Sequence, residues 1–467
     1  MAEIGQEPDT ERSTLPLQAE DLLGLGADVA IAIAAALDAG RSDEAAELSK
    51  SLHFAEIADL LEQLKSEQRH QLVERLRVGF DPAILAELDD MIREEVAEQL
   101  GTESLAGAIA QLETDDALKL LASLDTLRQR QIMQALPAAL RTALEQGLAY
   151  PEDSAGRLMQ SDFVAVPTFW AVGETIDFLR EAHDLPNDFY DIFVVDAGHR
   201  PVGTVAVSRI LRSNRLVPLE HIMAAQLTSV PVGLDQEEVA YIFSQHDLVS
   251  APVVDDAGRL IGVIMVDDIV DVIHEEAEED LMRLGGVRED DLYADVLGTG
   301  RSRFSWLFVN LLTAILASVV IAFFQGTIEQ IVMLAVLMPI AASMGGNAGT
   351  QTLTVVVRAI AMKDLTSANA LRVISKEVLV GVFNGVSFAA IVGIIAWAWS
   401  GDSAIGWVMA ASMTVTMIVA GLVGTAIPIG LSRTGIDPAV ASGVFLTTIT
   451  DVVAFLVFLG LAAWFLM

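Results

Sequence analysis

The chain of 467 residues contains no cysteine. That absence excludes a disulfide scaffold, thiol catalysis and Cys-ligated zinc or iron–sulfur centres. The seven histidines are scattered and form no HExxH pair. Basic residues are scarce, with 28 Lys and Arg against 64 Asp and Glu. A chain so acidic repels phosphate backbones, so nucleic acid is excluded as a partner and cations are favoured. The first residues (MAEIGQEPDTERST) lack the basic and apolar regions of a secretory signal, which predicts a cytoplasmic front half.

The charge is unevenly placed. From Arg301 onward there are seven basic and six acidic residues, against 21 and 58 in residues 1–300. The charge-poor part holds five apolar segments, roughly 304–324, 330–357, 377–399, 405–431 and 438–467. Each is long enough to cross a hydrocarbon core of about 30 Å. Arg301 and Arg303 precede the first segment, Arg358, Lys363, Arg372 and Lys376 follow the second, and Arg433 follows the fourth; the alternate loops have none. The positive-inside rule then predicts a cytoplasmic N-terminus and an external C-terminus in a multi-pass protein of the cell membrane.

Carboxylates at membrane depth are costly. Glu329, Asp364, Glu377, Asp402 and Asp437 read as loop or segment-end residues, whereas Asp451 lies well inside an apolar run with Thr447 one helical turn before it. An ion pathway accounts for such a residue; a carboxylate hydrogen-bonded to Thr447 and Thr448 that locks helix packing is the alternative. The second segment carries Pro339 and the polar stretch 343–351, SMGGNAGTQ. Irregular backbone facing an ion or its water is expected there, with close helix packing through small residues as the alternative.

In the front half, residues 15–148 read as short amphipathic helices. Residues 55–76 overlay 115–136 at an offset of 60, aligning Leu60 with Leu120, Leu61 with Leu121 and Leu72 with Ile132. This resembles a helical-hairpin solenoid. From Tyr150 the texture becomes β-rich, and FVVDAGHRPVGTV (193–205) matches PVVDDAGRLIGVI (252–264), each reading strand, turn, strand, helix. The doublet resembles a tandem pair of CBS modules, which often bind adenine nucleotides. In that family a Gly is followed at +3 by Ser or Thr and at +6 by Asp. The second copy keeps Gly262 and Asp268 but has Met265, and the first has Gly203 with Ala206 and Arg209. These departures count against ATP as a cofactor. Beyond lies VDDIVDVIHEEAEEDLMRLGG, whose like charges destabilise a helix unless a hard divalent cation neutralises them.

Taken in order, these parts resemble the MgtE family of magnesium channels along nearly the whole chain. The matching motifs are YPEDSAGRLM at 150–159, VDDIVDVI with EEAEED, LGG at 284–286, RSRFSWL, GGNAGTQ, and DPAVASGVFLTTITD ending at Asp451. The resemblance implies a multidomain fold: a disordered start (1–14), an all-α cytosolic N domain (15–148), an α/β tandem CBS pair (150–215 and 216–276), a connecting helix (277–303) and an all-α five-helix transmembrane domain (304–467). It implies no enzyme but a homodimer in the lipid bilayer, with Asp451 of each chain facing the pore and Asn347, Thr447, Gly443, Gly345 and Gly346 lining or shaping the path. It implies closure by cytosolic Mg²⁺ held at Asp268, Asp271, Glu276, Glu279 and Asp280, with Asp437 at the mouth of the fifth span and weaker matches at Asp59 and Asp115. The chain departs from the family's pattern at Val444, where Pro is usual, at Gly443 and Thr447, which replace Asn and Ala of some members, and at Lys119. A carrier of Co²⁺ or Mn²⁺ and a membrane metal sensor without transport stay open as alternatives.

Overall fold

The computed structural model describes residues 25–183, 185–186, 188–287, 296–366 and 368–467, and at 441 the backbone alone. The expected disordered start, the first residues of the N domain and part of the connecting segment lie outside these. The chain divides into two compact units at Ile273/His274.

In the first unit, residues 27–148 form short helices: α1 (Ala27–Asp38), α2 (Ser42–Ser49), α3 (Phe54–Gln63), α4 (Ser66–Leu76), α5 (Ala83–Glu87), α6 (Asp90–Leu100), α7 (Thr102–Ile109), α8 (Thr114–Ser123), α9 (Thr126–Ala135) and α10 (Ala138–Leu148). The sequence repeat is a repeat of structure, since α3–α4 and α8–α9 occupy the overlaid segments. Leu60, Leu61, Leu120, Leu121, Leu72 and Ile132 are all fully buried. Three of these helices, α3, α6 and α9, follow a residue whose side chain caps them, as Asp125 does by accepting from the Leu127 and Arg128 amides.

After α11 (Ala155–Leu158) come β1 (Ala165–Pro167), α12 (Val172–Glu181), β2 (Asp191–Val195), β3 (Pro201–Ala206) and α13 (Val207–Arg212). The order repeats as β4 (Val230–Pro231), α14 (Gln236–His246), β5 (Ser250–Val254), β6 (Leu260–Met265) and α15 (Val266–Gly285). Each β-α-β-β-α module has one parallel and one antiparallel pairing, in the orders β1-β2-β3 and β4-β5-β6. The modules exchange their lead segments. Gln160 bridges to Val263 of β6, and Ala224 bridges to Thr204 of β3. Gly262 and Gly203 make this possible, because a Cβ on either would come 2.7 Å or 2.8 Å from the sulfur of Met159 or Met223.

The second unit contains α16 (Val296–Phe323), the short α17 (Gln325–Gln330), α18 (Met333–Ala361), α19 (Ala370–Ser400), α20 (Ser403–Arg433) and α21 (Pro438–Phe465). By length and apolarity, α16, α19, α20 and residues 442–465 of α21 can cross a membrane, with mean hydropathies of 1.9 to 2.3. The polar glycine stretch keeps α18 out of that group, although its 29 residues reach about 43 Å. Helix α20 packs against α18, α19 and α21, and its Met409, Met413 and Met417 form a buried spine at one-turn spacing. Phe458 and Leu459 of α21 and Leu334 and Leu337 of α18 close around it.

Candidate functional site

Two groups of residues stand apart from this packing, one in each unit. Asp451 lies thirteen residues into α21, about 20 Å from either helix end. Thr447 donates to the carbonyl of Gly443 at 3.0 Å, and Thr448 to that of Val444 at 2.6 Å. Both hydroxyls are thus spent on their own helix, and the Asp451 carboxylate has no hydrogen bond or ion pair with any described residue. The packing-lock alternative required those threonines as donors, and they are engaged elsewhere.

Helix α18 is continuous from Met333 to Ala361, so the irregular backbone expected at 343–351 is absent there. An unbroken helix satisfies its own backbone groups in hydrocarbon, and small residues let it approach its neighbours. A Cβ on Gly345 would meet Thr416 at 2.5 Å, and one on Gly349 would meet Leu446 at 2.8 Å. These glycines serve contact between helices. Gly346, with no neighbour within 4 Å, does not. Opposite the buried face, Ser343, Asn347, Thr350 and Thr354 form a polar stripe exposed on the unit's surface. Gly345 also lies near Thr450 and Gly349 near Leu446, so α18 and α21 run antiparallel, with Asn347 opposite Thr448 and within one helical turn of the level of Asp451. Thr447 is exposed and Gly443 and Asp451 are half-buried.

The acidic group of the first unit joins the helical repeat to the CBS pair. Gln160 Nε2 donates to Glu113 Oε2 at 2.5 Å and to Asp268 Oδ2 at 3.2 Å, and the hydroxyls of Thr114 and Ser161 meet at 2.7 Å. Asp115 lies in the first turn of α8 and Asp268 in the first turn of α15, and each turns a carboxyl toward the other. Burial pushes the Asp268 carboxyl well above the usual range, and the charges of Asp115 and Asp267 add to it. Asp115 is raised by burial and by Asp116 and Glu113. Burial likewise raises Asp116 and Glu113. Glu87 is raised by burial first, then by the charges of Asp271 and Asp116, with Asp59 a smaller contributor. Asp115 Oδ1 is shut off from solvent without a hydrogen-bond partner. An orphaned carboxyl oxygen amid carboxyls that burial makes hard to ionise fits a hard divalent cation, although among the described residues no three His, Asp or Glu converge on one point. Asp59 and Asp271 are exposed at the margin.

The remaining expected ligands lie further along α15, in the second unit. Glu276, Glu279 and Asp280 are half-buried. Arg283 forms ion pairs with both Glu279 and Asp437, the latter at 2.6 Å. Leu284 packs beside Leu353, Val357, Ala439 and Leu446. Burial and the charge of Asp437 raise Asp280. Arg283 therefore bridges Glu279 and Asp437, two of the residues the resemblance assigned to the metal. Replacing it by Arg283→Ala should lower the unfolding midpoint of the solubilised chain in EDTA by a few degrees, matching about 1 kcal/mol for a partly exposed pair. Scanning fluorimetry showing no shift would deny the pair any role in stability.

In the CBS modules Asp268, at the position that holds ribose in that pattern, is engaged by Gln160 and faces Asp115, and Ser250 of the second module donates to Asp191 of the first at 2.8 Å. Sequence reasoning also misplaced Glu377: it stands inside α19, 8 % exposed, and accepts from Thr352 Oγ1 at 3.3 Å. The KE pair preceding an apolar run looked like a segment end, and nothing in the sequence marks the donor 25 residues upstream.

Comparison with known proteins adds three matches to family models: "Divalent cation transporter" over residues 338–461, "MgtE intracellular N domain" over 52–153 and "CBS domain" over 219–275. The chain is 31% identical over 441 residues to the magnesium transporter MgtE of Thermus thermophilus, covering 93% of this chain and 98% of that one. It is 27% identical to the magnesium transporter MgtE of Bacillus subtilis, covering 88% and 91% respectively. Among solved structures, the cytosolic domain of the Mg²⁺ channel MgtE in complex with ATP is similar at 29% identity and a TM-score of 0.48, over 52% of this chain and 99% of that one.

Proposed function

Because the chain belongs to the MgtE family of magnesium transporters, not enzymes, we propose that it is a Mg²⁺ channel or transporter of the cell membrane, closed from the cytosol by the ion it carries. The observation that carries this reading is the unpartnered Asp451 carboxylate in the middle of α21, level with the polar stripe of α18. Such a stripe is costly against lipid, and a second copy of the chain would cover it. The functional unit is then a homodimer, with α18 and α21 of both copies around the path.

Two Asp451 carboxylates, one from each copy, balance one divalent charge. Mg²⁺ sheds water reluctantly, so few charged ligands amid hydroxyls and carbonyls can pass it still hydrated. Asn347 and Thr447 supply such groups, and Gly443 and Gly346 leave room beside them. On this reading the N-terminus is cytoplasmic and the C-terminus external, as the positive-inside rule expects, with the acidic surfaces at the cytosolic face. When bound there, Mg²⁺ supplies the positive charge that Asp115 and Asp268 lack. The expected outer members of the sensing set are Asp59, Asp271, Glu276, Glu279, Asp280 and Asp437. A site made only of oxygen donors also accepts Co²⁺ or Mn²⁺. The test is Mg²⁺ uptake by liposomes holding the purified chain, with Co²⁺ and Mn²⁺ as competitors. Uptake no faster than in empty liposomes would leave an anchored sensor as the better account, and preference for a competitor would change the named ion.

A further inference from the structure

Glu377 is a buried carboxylate within the membrane unit that the ion path does not use. A charge so placed adds little to stability, because desolvation offsets what its partners return. It does define position: any slip that separates it from a donor on a neighbouring helix leaves that carboxylate oxygen buried and unsatisfied. Its partners are the Thr352 hydroxyl at 3.3 Å and the Lys376 ammonium, 3.4 Å from Glu377 Oε1. Thr352 belongs to α18, which barely touches α19 directly, because both pack on α20.

Two glycines of α20 allow the bond to cross it. A Cβ on Gly421 would stand 2.7 Å from the Glu377 carbonyl oxygen, and one on Gly424 would stand 2.9 Å from the Gly349 carbonyl and 3.0 Å from Thr352 Cβ. With both faces of α20 pared to backbone, the side chains of its two neighbours meet around it. Thr352 is five residues from Asn347, about 7.5 Å along the axis.

We propose that Glu377 is a positioning residue of the ion path: through Thr352 it fixes the height and rotation of α18, and so the placement of Asn347. This rests on the reading of the α18 stripe as part of that path. Because the chain has no cysteine, Asn347→Cys supplies a single thiol in the full-length protein. Its rate of modification by a water-soluble methanethiosulfonate is measured in liposomes.

Adding Glu377→Leu or Thr352→Val should change that rate about fivefold or more. Adding Glu377→Gln, which keeps the acceptor, should leave it within about twofold. The Leu and Val changes together should do no more than either alone, since both remove one bond. Equal rates in all backgrounds, including no reaction in any, overturn the proposal, even if the Leu variant is less heat-stable. Uptake by Asp451→Asn, measured alongside, reports on the ion-path reading separately: loss of uptake with equal thiol rates condemns only the brace, and retained uptake with altered rates condemns only the path.

Discussion

Asp451→Asn should reduce Mg²⁺ uptake at least about 100-fold while leaving the protein assembled. With an effective dielectric near 20, a divalent ion about 5 Å from one carboxylate gains several kcal/mol, and the amide forfeits that attraction in both copies. The change is nearly isosteric. Since Asp451 bonds to no described residue, no partner is left stranded by it. Size-exclusion elution of the solubilised protein should therefore not move. Asp451→Glu keeps the charge but shifts it by a methylene, and an intermediate flux is expected. Undiminished uptake by the Asn variant would falsify the pore assignment.

The second large effect is expected on the cytosolic side. Free Mg²⁺ in the millimolar range should slow tryptic cleavage of the front half of the full chain roughly 20-fold or more relative to EDTA. A ligand that binds only the compact form at about 100 times its dissociation constant stabilises it by about 2.7 kcal/mol. The direction follows from the carboxyls at the junction. Asp115 and Asp268 are both raised above the ordinary carboxylate value, by burial first and then by neighbouring charge. The folded form therefore holds protons that the unfolded form has released, and it loses stability as the pH rises from that ordinary value through the raised ones. At neutral pH the penalty is present, and a cation offsets it. Asp115→Asn with Asp268→Asn removes both the penalty and the site, so the double variant should resist trypsin without Mg²⁺ and respond little to it. Equal digestion of the parent chain with and without Mg²⁺ counts against cation sensing at this junction.

Much of the architecture was legible in the sequence because it rests on periodicity. The 60-residue offset between hairpins follows from leucines that each must bury, and the doubled strand-turn-strand pattern follows from two sheets of like register. Apolar length and the exceptional position of Asp451 are likewise properties of the chain read one residue at a time. Arg283 and Glu377 were not legible in this way. Each matters through a partner far away in the sequence, Asp437 for one and Thr352 for the other.

By itself, then, the sequence determined which segments are apolar, where the charge accumulates and which carboxylate lies deepest in a span, since hydrophobic burial and charge desolvation act on each residue according to its type. Only the tertiary structure decided that the glycines at 345 and 349 serve helix contact, that the Asp451 threonines bond to their own backbone, and that an arginine stands between Glu279 and Asp437. Those outcomes depend on which atoms come within about 3 Å of one another, and hydrogen bonds and close packing lose their effect within an ångström of that distance.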